Sequence, residues 1–135
     1  MNRILVVEDE ADLAVTYDRL LRREGYRVVT AASRGEGLKA IESAPPALVI
    51  ADLRLPDGDG LDIVRAAYAC APRIPVIVVT AFASGAARDA ARSSGASAFL
   101  AKPFVASVLL RLVHDELERS TPEAARRNPP CHPIP

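Results

Sequence analysis

The 135-residue chain has no tryptophan, one methionine and two cysteines. Cys70 and Cys131 form neither a CxxC pair nor a disulfide framework, so both are expected as free thiols. Long hydrophobic runs are also missing. The apolar stretch Ile4 to Val7, directly after Met1-Asn2-Arg3, is too short for the core of a signal peptide. No run reaches the roughly 18 apolar residues of a spanning helix, so a cytoplasmic location with no membrane partner is expected. Nor is there an excess of charge of one sign: 17 basic residues balance 17 acidic ones and no Lys/Arg block stands out. That argues against direct contact with nucleic acid. Lysine itself is scarce, with Lys39 and Lys102 standing beside fifteen arginines.

What is present is a globular composition, 50% hydrophobic and 25% charged, in a length that suits one ordinary domain. At this mass about two-thirds of the extended chain's surface is buried on folding, enough for a core without disulfides or metal. Beyond Ser120 the composition changes: five of the 14 residues Pro122 to Pro135 are proline, and apolar periodicity stops. A folded domain over 1–120 and a Pro-rich flexible tail over 121–135 are therefore expected.

Short apolar runs alternate with helical patterns. Ile4 to Val7 (β1), Arg27 to Ala31 (β2), Ala47 to Ala51 (β3), Pro75 to Val79 (β4) and Ala98 to Ala101 (β5) read as strands. Between them lie helix α1, with Leu13, Tyr17, Leu20 and Leu21 at helical spacing before Gly25, and α2, which Ser33 to Glu36 opens as a capping box and Pro45-Pro46 ends. Leu61 to about Cys70 is α3, Ala86 to Ser94 is α4, and Val105, Val108, Leu109, Leu112 and Val113 stripe α5. Five βα units with short right-handed crossovers require an α/β, doubly wound parallel sheet with helices on both faces.

Ligands of such sheets bind beyond the carboxyl ends of the strands. There the chain delivers Glu8 and Asp9 after β1, Asp52 after β3, Thr80 after β4 and Lys102 after β5. Close carboxylates repel, so an ionised trio needs a compensating cation. An all-oxygen site with few protein ligands suits Mg²⁺, which bridges carboxylate and phosphate, and a metal-bound aspartate can attack phosphorus to form an acyl phosphate. Lys102, the Thr80 hydroxyl and loop N–H groups would face the charge that develops on a transferring phosphoryl. Taken singly, each residue has a plainer reading. Glu8 to Glu10 also serve as solvated acids ahead of α1, Thr80 also ends a strand, and Phe99 also serves as a half-buried strand residue. Asp57-Gly58-Asp59-Gly60 fails the calcium-loop spacing and reads as a turn and helix entry, while His114 reads as a surface or packing histidine and His132 lacks further ligands.

Four segments, Ile4 to Glu10, Asp52 to Gly60, Val79-Thr80-Ala81 and Gly95 to Phe104, fall in order at these strand ends, and with them the chain resembles the receiver domains of bacterial two-component response regulators. The resemblance covers residues 3 to about 117 and implies a flavodoxin-like five-stranded sheet, order 2-1-3-4-5. It implies that Asp52 accepts a phosphoryl group from the phosphohistidine of a sensor histidine kinase or phosphotransfer protein. Mg²⁺ would be bound by Asp9, by Asp52, by the Arg54 backbone carbonyl, and by Glu8 mostly through a water. Thr80 and Phe99 become the switch pair, Lys102 pairs with the phosphoryl, and Lys102-Pro103 is cis. Signalling to an effector protein is expected through α4-β5-α5, from a monomer or a phosphorylation-dependent dimer. As a phosphoacceptor with slow autodephosphorylation, the chain is expected not to be an enzyme in its own right.

Three other readings compete. An aspartate-nucleophile phosphohydrolase places a second aspartate two residues after the nucleophile, where this chain has Arg54. A nucleotide or flavin binder needs GxxxxGK[ST] or GxGxxG, and neither occurs. The third is the receiver segment of a longer DNA-binding regulator. With only about 15 Pro-rich residues after α5 the chain as given reads as a stand-alone receiver.

Overall fold

The structure, a computed structural model, describes residues 2–120. The Pro-rich tail, Cys131 and His132 lie outside the described residues. Strands β1 (Arg3–Val7), β2 (Arg27–Ala31), β3 (Leu48–Ala51), β4 (Val76–Thr80) and β5 (Ala98–Ala101) form one parallel sheet in the order β2-β1-β3-β4-β5. Helices α1 (Ala11–Arg23), α2 (Arg34–Ser43), α3 (Leu61–Tyr68), α4 (Gly85–Ser94) and α5 (Ala106–Arg119) alternate with the strands. The order reverses at β1 and β3, which opens a crevice at their carboxyl ends.

The strands explain why their sequences are continuous apolar runs. Leu5, Val7, Val49, Ala51, Val76 and Val78 face a core layer completed by Ile41, Ile63, Val64, Ala67 and Ala91 from α2, α3 and α4. Ile4, Val6, Leu48, Ile50, Ile77 and Val79 face the other way, onto Tyr17 and Leu21 of α1 and Leu109, Val113 and Leu117 of α5. Both faces of the central strands are covered, so alternation with polar residues would bury unpaired groups. The helix ends follow the sequence. Ser33 Oγ accepts the Glu36 N–H at 3.1 Å, and Gly95 closes α4 with φ +110.

Some boundaries shift. β4 starts after Pro75, which has no N–H for the ladder, and extends through Thr80. α3 stops at Tyr68, two residues short of Cys70, and α4 gains Gly85 because the Ser84 hydroxyl caps it by accepting the Ala87 N–H at 3.0 Å. The expected α5 stripe holds at Leu109, Leu112 and Val113 and fails at Val105 and Val108, which are 64% and 44% exposed. Val105 precedes the helix as its N-cap, and Val108 falls on the side turned away from the sheet; Leu117, one turn beyond Val113, completes the buried stripe. The 53–60 loop is more ordered than a turn: Arg54–Leu55 pairs antiparallel with Gly58–Asp59 as a two-residue hairpin. Among the described residues no helix is long and apolar enough to cross a membrane.

Candidate functional site

Each strand end contributes one group to the crevice. Glu8 continues β1 and is 3% exposed, Asp52 continues β3 and is 8% exposed, and Thr80 ends β4 fully buried. Asp9 is exposed at the rim. One carboxylate oxygen from each of Glu8, Asp9 and Asp52 lies within 4.8 Å of the other two. Lys102, delivered by β5, donates from Nζ to Glu8 Oε1 at 2.9 Å and to Asp52 Oδ2 at 2.7 Å. The sequence places these three residues far apart, and the sheet order brings them into one ion-pair triad.

Backbone donors hold the remaining oxygens. The Arg54 N–H donates to Asp52 Oδ1 at 3.1 Å, the Glu10 N–H to Glu8 Oε2 at 3.1 Å, and the Phe82 N–H to Thr80 Oγ1 at 3.2 Å. Thr80 therefore keeps its hydroxyl proton free to donate. The Lys102–Pro103 bond is cis. Burial raises the Glu8 carboxyl above its ordinary value, against the hydrogen bond from Lys102. Burial pulls Lys102 down, but its bonds to Asp52 and Glu8 outweigh this and leave it raised. Tyr17, raised by burial and the nearby carboxylates, remains a neutral phenol stacked on Phe104 with centroids 5.5 Å apart.

Three carboxylates facing one ammonium leave the cluster short of positive charge, and its donors are all oxygen. That set fits a hard divalent cation. Phe99 lies on β5. It is half-buried on the α4 side of β5, with the Arg88 guanidinium 4.8 Å from its ring centre, two residues before Ala101, the β5 partner of Thr80. Arg54 places its guanidinium 3.6 Å from the centre of the Phe82 ring, which links the loops after β3 and β4. His114 is exposed, 3.7 Å from Glu118.

Residue spacing hid two supports of the site. Gly60 packs so tightly beneath Asp52 that a Cβ there would lie 2.0 Å from the Asp52 carbonyl oxygen. Asp57, at the hairpin tip, accepts the Arg34 N–H at 2.7 Å and the Gly35 N–H at 2.9 Å. The only local signal was a carboxylate in a turn, whereas the partners are 23 and 22 residues away. The Gly35 and Arg34 N–H groups hold the Asp57 carboxyl below the ordinary carboxylate range. A folded-state value below the unfolded one contributes stability above about pH 4 that is lost as pH falls through the folded value. Asp57→Asn is therefore expected to flatten the acid limb of the melting temperature against pH, followed by circular dichroism. Superimposable limbs would contradict the assignment.

Comparisons with known proteins agree with this geometry. The response regulator receiver domain model matches residues 4–114. The transcriptional regulatory protein GlrR of Escherichia coli K12 is 36% identical over 124 residues, covering 92% of this chain and 28% of that protein. PdtaR of Mycobacterium tuberculosis, also a transcriptional regulatory protein, is 39% identical over 121 residues, covering 87% of this chain and 57% of PdtaR. The chain thus spans between about a quarter and somewhat over half of these relatives. A CheY-like receiver domain from Methanospirillum hungatei JF-1 superposes with a TM-score of 0.85 at 32% identity, covering 89% of this chain and 96% of that one. The beryllofluoride-activated NtrC4 receiver domain dimer gives 0.83 at 31%, covering 90% and 100%. Agreement that runs through the whole sheet, and not through one motif, makes the chain a member of the response regulator receiver domain family of two-component systems.

Proposed function

We propose that this domain, over residues 1–120, is a phosphorylation switch in which Asp52 accepts the phosphoryl group. The donor is the phosphohistidine of a sensor histidine kinase or of a phosphotransfer protein. An Asp52 oxygen forms the new O–P bond as the P–N bond breaks, and the departing imidazole keeps the electron pair. The observation that carries this reading is the Lys102 bridge between Glu8 and Asp52, with Asp9 beside them. Asp9, Asp52 and the Arg54 carbonyl would hold Mg²⁺, with Glu8 acting through a water, and the cation would supply positive charge to the phosphoryl and acceptor oxygens.

The chain's own groups complete the switch. Phosphorylation adds about 1.5 to 2 negative charges and three acceptor oxygens. Lys102 exchanges its two carboxylate bonds for one to the phosphoryl, and Thr80 turns its free proton onto a phosphoryl oxygen, both charge-assisted. Their loops follow, Phe99 moves with Thr80, and the α4-β5-α5 face changes toward a partner protein, in the cytoplasm, as a monomer or a phosphorylation-dependent dimer. Val105 and Val108 already expose apolar surface at the start of α5. Arg54 stands where a phosphohydrolase carries its second aspartate, which argues against rapid multiple turnover of a phosphate monoester. The length of the relatives favours a second arrangement, in which the same switch serves as the receiver segment of a longer DNA-binding regulator.

Acetyl phosphate and Mg²⁺, followed by intact mass, test the proposal. One phosphate adduct is expected on the wild type, none on Asp52→Asn and none with a chelator. An unmodified wild type, or an equal adduct on Asp52→Asn, overturns it.

A further inference from the structure

We infer that Asp57 is a positioning residue for the site: by clamping the hairpin tip to the first turn of α2, it holds the Arg54 backbone where Asp52 and the cation need it. The inference rests on the reading of the site as a Mg²⁺-dependent phosphoacceptor. A hairpin of two residue pairs is marginal on its own. Its base is fixed by the Gly60 N–H on the Leu53 carbonyl at 2.8 Å and by the Arg54 N–H on Asp52 Oδ1. Its tip has no core to sit on, since Pro56 to Asp59 are all exposed. Both Asp57 oxygens instead take N–H groups that the α2 helix leaves unpaired, where the helix dipole also favours a negative charge. The same helix start grips the hairpin again. Arg34 lies so close to Gly58 that a Cβ there would be 2.6 Å from Arg34 Cδ, and Arg34 Nε donates to Asp62 Oδ2 of α3 at 2.7 Å. The hairpin therefore spans α2 and the acceptor, with Arg54 in its stem.

Ser33 provides the control, because its hydroxyl caps the same helix turn through Glu36 and does not touch the hairpin. The full chain is compared as wild type, Asp57→Ala, Asp57→Asn and Ser33→Ala. Mg²⁺ binding is read by calorimetry, and amide exchange at Arg54 and Gly60 is read by NMR without metal. Asp57→Ala is expected to raise the Mg²⁺ dissociation constant about tenfold, the usual effect of losing a support behind a metal ligand, and to speed exchange at Arg54. Asp57→Asn, which keeps one acceptor oxygen, should fall between it and the wild type. Ser33→Ala should lower the melting temperature as much as Asp57→Ala and leave both readouts within twofold of the wild type. Equal effects of Ser33→Ala and Asp57→Ala on Mg²⁺ binding and Arg54 exchange, or unchanged Arg54 protection in Asp57→Ala, overturn the inference. A wild type that binds no Mg²⁺ defeats the phosphoacceptor reading instead, and the metal-free exchange then decides the clamp by itself.

Discussion

Lys102→Met is expected to lose about 3 kcal/mol of stability at pH 7 and much less at pH 5. The wild-type ammonium sits between two carboxylates that are 2% and 9% exposed, at 2.9 and 2.7 Å. Removing one partner of a buried ionic group leaves the others uncompensated, typically at a cost of about 3 to 5 kcal/mol. Here the loss is capped, because Glu8 can take up a proton. From an ordinary carboxylate value of 4.5, protonation at pH 7 costs about 3.4 kcal/mol. An acid whose folded-state value is raised contributes stability that is present below its unfolded value and lost as pH rises through the folded one. The variant's deficit therefore opens as pH rises above the ordinary value of 4.5. Over that rise the raised Lys102 keeps its contribution in the wild type, and loses it only as pH climbs past 10.5 through the folded value. Millimolar Mg²⁺ should restore part of the variant's stability, and more than it adds to the wild type, since it replaces the missing positive charge. Phosphoryl uptake should fall about a hundredfold, as when one preorganised charge-stabilising donor is lost. Urea unfolding at pH 5 and pH 7.5, with and without Mg²⁺, measures the first effect. A deficit that is independent of pH would show that the carboxylates are not coupled as described.

Gly60→Ala should destabilise the fold by about 3 kcal/mol or more, at the upper end of overpacking, and lower the melting temperature by about 10 °C. The reason is contact and not conformation: Gly60 has φ −64 and ψ −17, which any residue adopts. The added Cβ would lie 2.0 Å from the Asp52 carbonyl oxygen, 2.8 Å from Leu53 Cα and 2.9 Å from the Asp52 carbonyl carbon. All three atoms are backbone, so no side chain can swing away. The hairpin base must open, with loss of the Gly60 N–H bond to Leu53, and the displaced segment begins with Asp52, the proposed phosphoacceptor. Phosphoryl uptake should drop with stability. Gly85→Ala is the matched control at the first residue of α4, where a Cβ meets nothing within 4 Å. It should be neutral or slightly stabilising. Thermal melts of the two variants side by side decide the matter, and a Gly60→Ala protein that melts like Gly85→Ala refutes the close contact.

The fold was legible where one residue's surroundings are set by its neighbours in sequence. Ile4 to Val7 and Leu48 to Ala51 announce strands buried on both faces because a run without polar residues has no solvent side. Ser33 and Glu36 announce the start of α2 because the cap and the amide it satisfies are three residues apart. The stripe of α5 was legible only in part. Helical spacing shows that one face is apolar but not how wide the covered part is, and the packing leaves Val105 and Val108 in solvent.

The candidate site divides the same way. Glu8, Asp52, Thr80 and Lys102 were visible as polar residues at the ends of apolar strands, since that is where a parallel sheet gathers ligands. The sheet order decided that Lys102 meets both Glu8, 94 residues away, and Asp52, 50 residues away. Asp57 looked like an ordinary turn acid until α2 supplied its partners. Periodicity, capping and turn chemistry act over a few residues and are written into the local sequence. The partner of a buried charge depends on which strands the crossovers place side by side, and that is settled only when both faces of the sheet close.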